Sequence, residues 1–138
     1  MQRALRIVLV VLLVTLMTPV DAAPARAAGD AIGIHVRDGR LVVDPAFLTR
    51  FDARVISSTL AVVWVASGRR AAYVIDTDTP DSVHFAAGIA LCRAAGCTVT
   101  GLHGEPVLSG AHGLVAAADA ETHAALLDLV DQQENQAG

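Results

Sequence analysis

The stretch AIGIHVRDGRLVV, residues 31–43, offers two short extended runs around Asp38-Gly39, with apolar positions alternating in the first and continuous in Leu41-Val42-Val43. Alternation with a period of two marks half-buried strands, and Asp-Gly suits a tight turn that needs positive φ, so the pattern predicts a hairpin. Asp44-Pro45 then supplies a helix cap followed by proline at the first helical position. Phe47, Leu48 and Phe51 fall on one face of the helix predicted over residues 45–53. Residues 55–66 and 71–76 are rich in β-branched side chains and flank Ser67-Gly68-Arg69-Arg70, which reads as a second hairpin. Thr79-Pro80-Asp81 repeats the helix-start chemistry, and the small-residue run after it predicts a helix over residues 80–95 that lies close to a sheet.

Residues 97–102 follow as a strand, and the loop GLHGEPVLSGAHG holds a short strand at Val107 and Leu108. A further strand is expected at residues 114–117. A last helix over residues 119–132 turns Leu126, Leu127 and Val130 inward, and residues 132–138 form a frayed tail. From Leu41 the order is β-α-β-β-α-β followed by a helix, the split βαβ arrangement of ferredoxin-like domains. The expected fold is therefore one small α+β domain over residues 28–138, with an N-terminal hairpin strand and a C-terminal helix. A three-layer α/β domain is the alternative.

The N-terminus changes the picture of location. Arg3 and Arg6, an apolar run of residues 7–17, Pro19 and Ala25-Arg26-Ala27 have the three parts of a secretory signal, with residues 1–27 removed. An eleven-residue run is short against the roughly 20 residues of a spanning helix, so no stable membrane insertion is expected after cleavage. The destination is the periplasm or the cell exterior. The mature part carries seven arginines against thirteen acidic residues, a formal charge of −6. Nucleic acid is excluded as a partner, since binding it takes clustered positive charge.

Export also bears on the two cysteines, Cys92 and Cys97. An oxidising compartment favours a disulfide, and Cys-x4-Cys is neither the spacing of a thioredoxin-like redox site nor a complete zinc site. If Gly96 is the left-handed residue that ends the helix, Cys92 and Cys97 occupy the two positions that touch in a Schellman ending. The pair is thus expected as a disulfide staple between helix and strand.

The candidate chemistry centres on VIDTDTPDS, residues 74–82. Here an apolar strand ends in Asp76 and Asp78, where carboxylates at a strand's C-terminal edge can share a hard divalent metal. The stretch resembles the first motif of haloacid-dehalogenase-type phosphatases, Asp-x-Asp-x-Thr/Val, and AAGCTVTG resembles that family's second motif. Pro80 stands at the Thr/Val position, however, and the chain has no lysine to serve the third, so the family is not assigned. His103, Glu105 and His112 share one glycine-rich loop and, with Asp76 or Asp78, offer a mixed nitrogen and oxygen metal set. No nucleophile elbow and no phosphate-cradling glycine loop occurs.

These observations lead to an exported binding or accessory domain with no catalytic activity and no cofactor of its own, whose partner is a protein or small ligand in the cell envelope. Two alternatives stand beside it. One is a small metal-dependent hydrolase using Asp76, Asp78 and His103; the other is a structural subunit of a cell-envelope assembly.

Overall fold

The computed structural model describes residues 31–35, 40–78, 83–107 and 112–137. The proposed signal, the Asp38-Gly39 turn, the Thr79-Pro80-Asp81 helix entry and Leu108 lie outside the described residues. Five strands form one mixed sheet: β1 (Ala31–His35), β2 (Asp52–Val55), β3 (Ala72–Asp78), β4 (Thr98–Thr100) and β5 (His112–Ala117), in the spatial order β2-β1-β3-β5-β4. β1 runs parallel to both β2 and β3, while β5 is antiparallel to β3 and β4.

Among the described residues, five helices accompany them, α1 (Arg40–Val43), α2 (Pro45–Arg50), α3 (Leu60–Ala66) and α4 (Val83–Ala94) between strands and α5 (Ala120–Ala137) after β5. Alternation along the central strands sorts these helices into two layers. Ala72, Val74, Val115 and Ala117 pack with Leu41, Phe47, Leu126 and Leu129, from α1, α2 and α5. Tyr73, Ile75, Leu114 and Ala116 point the other way, against Val62, Val65, Phe85, Ile89 and Cys92 of α3 and α4. With helices on both faces, the central strands are buried on both sides and read as near-continuous apolar runs. No helix among the described residues is long and apolar enough to cross a membrane.

The architecture is a mixed α/β sheet covered on both faces, consistent with the three-layer alternative; the ferredoxin-like arrangement is corrected. Neither expected hairpin forms. Leu41 is buried in a turn of helix, and β1 finds its partners in β2 and β3 by parallel pairing. The run LAVVWVA, read as a strand, is α3: Ala61, Val62 and Val65 are its buried positions, at i, i+1 and i+4. A continuous apolar run satisfies either period, so its pattern alone could not separate strand from helix. The helix stops at Ser67-Gly68, where the backbone N–H of Gly68 donates to Val65 (3.0 Å) and that of Arg69 to Trp64 (2.8 Å).

Other expectations hold more closely. Asp44 caps α2, its Oδ1 accepting from the backbone N–H groups of Ala46 (2.7 Å) and Phe47 (3.2 Å), and Pro45 opens the helix. The helix ends at Arg50, before residue 53, because Asp52 already begins β2. α5 continues to Ala137, so residues 132–137, expected as a frayed tail, are helical. α4 crosses α3 closely: a Cβ added at Gly88 would lie 3.1 Å from Cβ of Val62. The missing side chain at Gly88 is what lets the two helices share one layer, offsetting a helix-propensity cost of about 1 kcal/mol.

Candidate active site

β1 and β3 are parallel neighbours, yet the chain leaves them toward opposite faces, from β1 into α1 and α2 and from β3 into α4. Such a switch point opens a crevice beyond the C-terminal ends of the strands, the usual position of ligands in open α/β sheets. Asp76 belongs to the end of β3 that reaches this edge.

On the face of α1 and α5, a cavity of about 90 Å³ is lined by Arg40, Asp76, Gln133 and Glu134 above an apolar floor that includes Val74 and Leu102. Gln133 is fixed from outside the cavity, because its side-chain N–H donates to Oδ2 of Asp44 at 3.0 Å. That bond, with the backbone N–H of Phe47 next in effect, holds the Asp44 carboxyl below its ordinary range. The Gln133 nitrogen is thereby committed, leaving its oxygen as the side chain's other polar atom. On the opposite face, a cavity of about 200 Å³ is lined by Ser57, Ser58 and Thr59 beside Tyr73, Ile75 and Phe85. It holds hydroxyls and no carboxylate. Burial pushes the Tyr73 phenol up to about 12, so it stays a neutral donor.

The residues singled out in the sequence are distributed over this edge and the loop beside it. Asp78 ends β3 and is the register partner of His112 on β5, after an irregularity in pairing that follows Ile75. The turn after β4 is held by Glu105, whose carbonyl accepts from Gly101 N–H (2.8 Å) and whose Oε2 accepts from His103 N–H (2.9 Å). Glu105 therefore shapes the loop. His103 is exposed and turns to α5, with Nδ1 3.9 Å from Oδ1 of Asp131 and 3.7 Å from Oε2 of Glu134. The single five-residue metal set imagined from the sequence is thus divided into an Asp76 cavity, an Asp78 and His112 strand pair, and a His103 turn. Glu134, shared by the cavity and the His103 cluster, was missed because it fell in the supposed tail; its three-residue spacing from Asp131 was the available signal. Arg40 was missed because it was placed in a hairpin.

The cysteine geometry is as expected, but the bond is not formed. Gly96 has φ +81°, Gly96 N–H donates to Arg93 (3.1 Å) and Cys97 N–H to Cys92 (2.9 Å), the two bonds of a Schellman ending. Both cysteines are free thiols, so the disulfide expectation is not met in the structure. The Cys92 thiol is placed to donate to the carbonyl of Val62 at 3.2 Å. Turned instead to the neighbouring sulfur, that S–H holds the Cys97 thiol down to about 7, and the same interaction with burial pushes Cys92 up.

One further histidine is buried. His123 Nε2 lies 2.8 Å from Thr100 Oγ1, whose own hydrogen goes to the carbonyl of Gly101, also 2.8 Å away, so the ring nitrogen is the donor. Burial holds this imidazole below its ordinary range, in the neutral form.

The donors of the Asp76 cavity suit a hard divalent cation. Two carboxylates and an amide oxygen line it, with no sulfur or imidazole, and Mg²⁺ is commonly held by one or two carboxylates with water and phosphate oxygens completing its shell.

Comparison with known proteins agrees with that chemistry. Residues 31–135 match the model of the Inositol monophosphatase family. Similar solved structures include an IMPase from Thermotoga maritima (TM-score 0.67, 19% identity, 80% of this chain and 45% of that one). The extragenic suppressor protein suhB of Bartonella henselae is similar too (0.62, 20%, 79% and 45%). So is an IMPase/NADP phosphatase complexed with Mg²⁺ and phosphate (0.57, 18%, 74% and 39%). The chain spans less than half the length of each of these three. No curated protein sequence matches it.

The family match overturns the expectation of a binding or accessory domain without catalytic activity. The metal-dependent hydrolase alternative is the better supported of the sequence readings. The expectation of no cofactor is corrected with it, since the family's fold is seen with Mg²⁺ and phosphate in a solved neighbour. Neither the match nor the similar structures support the periplasmic or secreted placement, which is withdrawn.

Proposed function

This chain belongs to the inositol monophosphatase family, and from that premise we propose that it provides the strand-edge part of a metal-dependent phosphatase site acting on phosphate monoesters. The observation that carries the reading is Asp76, placed at the end of β3 where β1 and β3 send their helices to opposite faces, beside a cavity with Arg40 and Glu134. Asp76, with Glu134 on the facing wall, would hold the cation. When bound, a divalent ion neutralises the phosphoryl oxygens and favours attack by water. Arg40 is suited to bind a phosphate oxygen through its fixed fork of N–H donors. Gln133, anchored by Asp44, keeps the α5 wall in position.

The chain spans less than half the length of these solved relatives, and apolar side chains stand exposed at this edge. Val55, Leu60 and Val83 stand at the end of β2 and the starts of α3 and α4, with 71%, 58% and 78% of their surface exposed. These are the ends that flank the crevice.

Release of phosphate from a small aryl phosphate, followed with Mg²⁺ and with a chelator, tests the proposal. Activity with Mg²⁺ that is lost to the chelator and falls at least about 100-fold in Asp76→Asn is expected. Activity unchanged in that variant would contradict it.

A further inference from the structure

The turn after β4 and the last helix meet at a second group of ligand-bearing side chains. His103 from the turn and Asp131 and Glu134 from α5 place one ligand atom each within 4.8 Å of the others. The two acids are three residues apart, the spacing that puts both on one helix face. His103 is presented by a turn fixed on both sides, through Gly101 N–H to the carbonyl of Glu105 and His103 N–H to its carboxylate.

The distances separate two readings of this group. A hydrogen bond between imidazole and carboxylate needs about 2.7–3.2 Å, and both separations here, 3.9 and 3.7 Å, are longer. Two ligands of a tetrahedral ion bound at about 2.0–2.2 Å lie roughly 3.3–3.5 Å apart, within a few tenths of an ångström of those values. The two imidazole-to-carboxylate separations are thus near those of ligands sharing an ion, and all three ligand atoms lie within 4.8 Å of one another. A neutral imidazole with two carboxylates carries a charge that a divalent cation cancels, and imidazole favours zinc-like ions over Mg²⁺.

We propose that His103, Asp131 and Glu134 form a surface site for a first-row divalent cation of the zinc type, with water as the fourth ligand. The site is separate from the Asp76 edge in its nitrogen ligand and its metal preference, and it does not depend on the phosphatase reading. Glu134 is common to both walls, so an ion here neutralises the cavity's outer carboxylate and ties the β4 turn to α5.

Titration of the full chain with Co²⁺, read by visible absorption and by competition with Zn²⁺, tests this. One equivalent with tetrahedral nitrogen and oxygen absorption is expected. His103→Ala and Asp131→Asn should each weaken binding at least about tenfold, with circular dichroism unchanged, since both residues are exposed. Asp76→Asn should bind Co²⁺ like the parent, so loss of phosphatase activity in that variant and loss of this site are distinguishable. Absence of saturable binding, thiolate-to-cobalt absorption that places the ion at Cys97, or undiminished affinity in His103→Ala would each overturn the proposal.

Discussion

Gln133 near the end of α5 donates its side-chain N–H to Oδ2 of Asp44 at 3.0 Å, across 89 positions of sequence. The same carboxylate caps α2 through its other oxygen, so one aspartate joins a local device to a long-range one. Asp44→Ala removes both and should lower the melting temperature more than Gln133→Ala, which removes one. The folded carboxyl is held below its ordinary range, so its contribution is present above that range and disappears as pH falls through the lower folded value. Thermal melts from pH 5 downward should show a shallower acid loss in Asp44→Asn than in the parent.

Gly113 stands on β5 between the pairs Leu114–Ile75 and His112–Asp78, at the irregularity in the ladder with β3. Its φ is +64°, and a Cβ there would strike the carbonyl oxygen of Ile75 and come within 2.6 Å of Leu102. Gly113→Ala combines left-handed strain with overpacking against backbone, and should destabilise the fold by about 3 kcal/mol or more in chemical denaturation. A conservative change at Gly96, where nothing lies within 4 Å of an added Cβ, should cost less.

His123 makes stability depend on pH near neutrality. Its imidazole is neutral when folded, and burial keeps its proton affinity below the ordinary 6.5. The unfolded chain therefore binds the extra proton first as pH drops. Stability should fall as pH is lowered below about 6.5, and level off for this group once the folded imidazole also protonates. His123→Gln should flatten that part of the melting profile, since glutamine cannot take up the proton.

Cys97 should react as a partly ionised thiol. With its value lowered to about 7 by the Cys92 thiol, alkylation under reducing conditions should show a midpoint near that pH, while buried Cys92 reacts slowly. In Cys92→Ala the midpoint should rise toward the ordinary thiol range, because the donor to the Cys97 thiolate is gone.

What could be read from the sequence follows locality. Asp44-Pro45 and the Gly96 ending are decided by side chains within a few residues, and both appear in the structure as expected. Asp76 at a strand end was readable for the same reason. α3 was not, because its apolar run fits two periods and only packing of Val62 against Gly88 of α4 decides between them. The pairing of β1 with two parallel partners, and the approach of His103 to Asp131 and Glu134, depend on crossovers that carry no local signature. The function was misjudged for a related reason: Arg40, Gln133 and Glu134 come from distant segments, and only the folded edge brings them to Asp76.

If Asp76 holds a divalent cation at the β1/β3 edge and Arg40 takes a phosphate beside it, a thermal melt with Mg²⁺ and inorganic phosphate reads out both. A ligand present at about 100 times its dissociation constant stabilises by roughly 2.7 kcal/mol, which for a domain of this size raises the melting temperature by several degrees. That rise is expected in the parent chain, with its loss in Asp76→Asn. An unchanged melting temperature in the parent, or an equal rise in Asp76→Asn, would contradict this assignment.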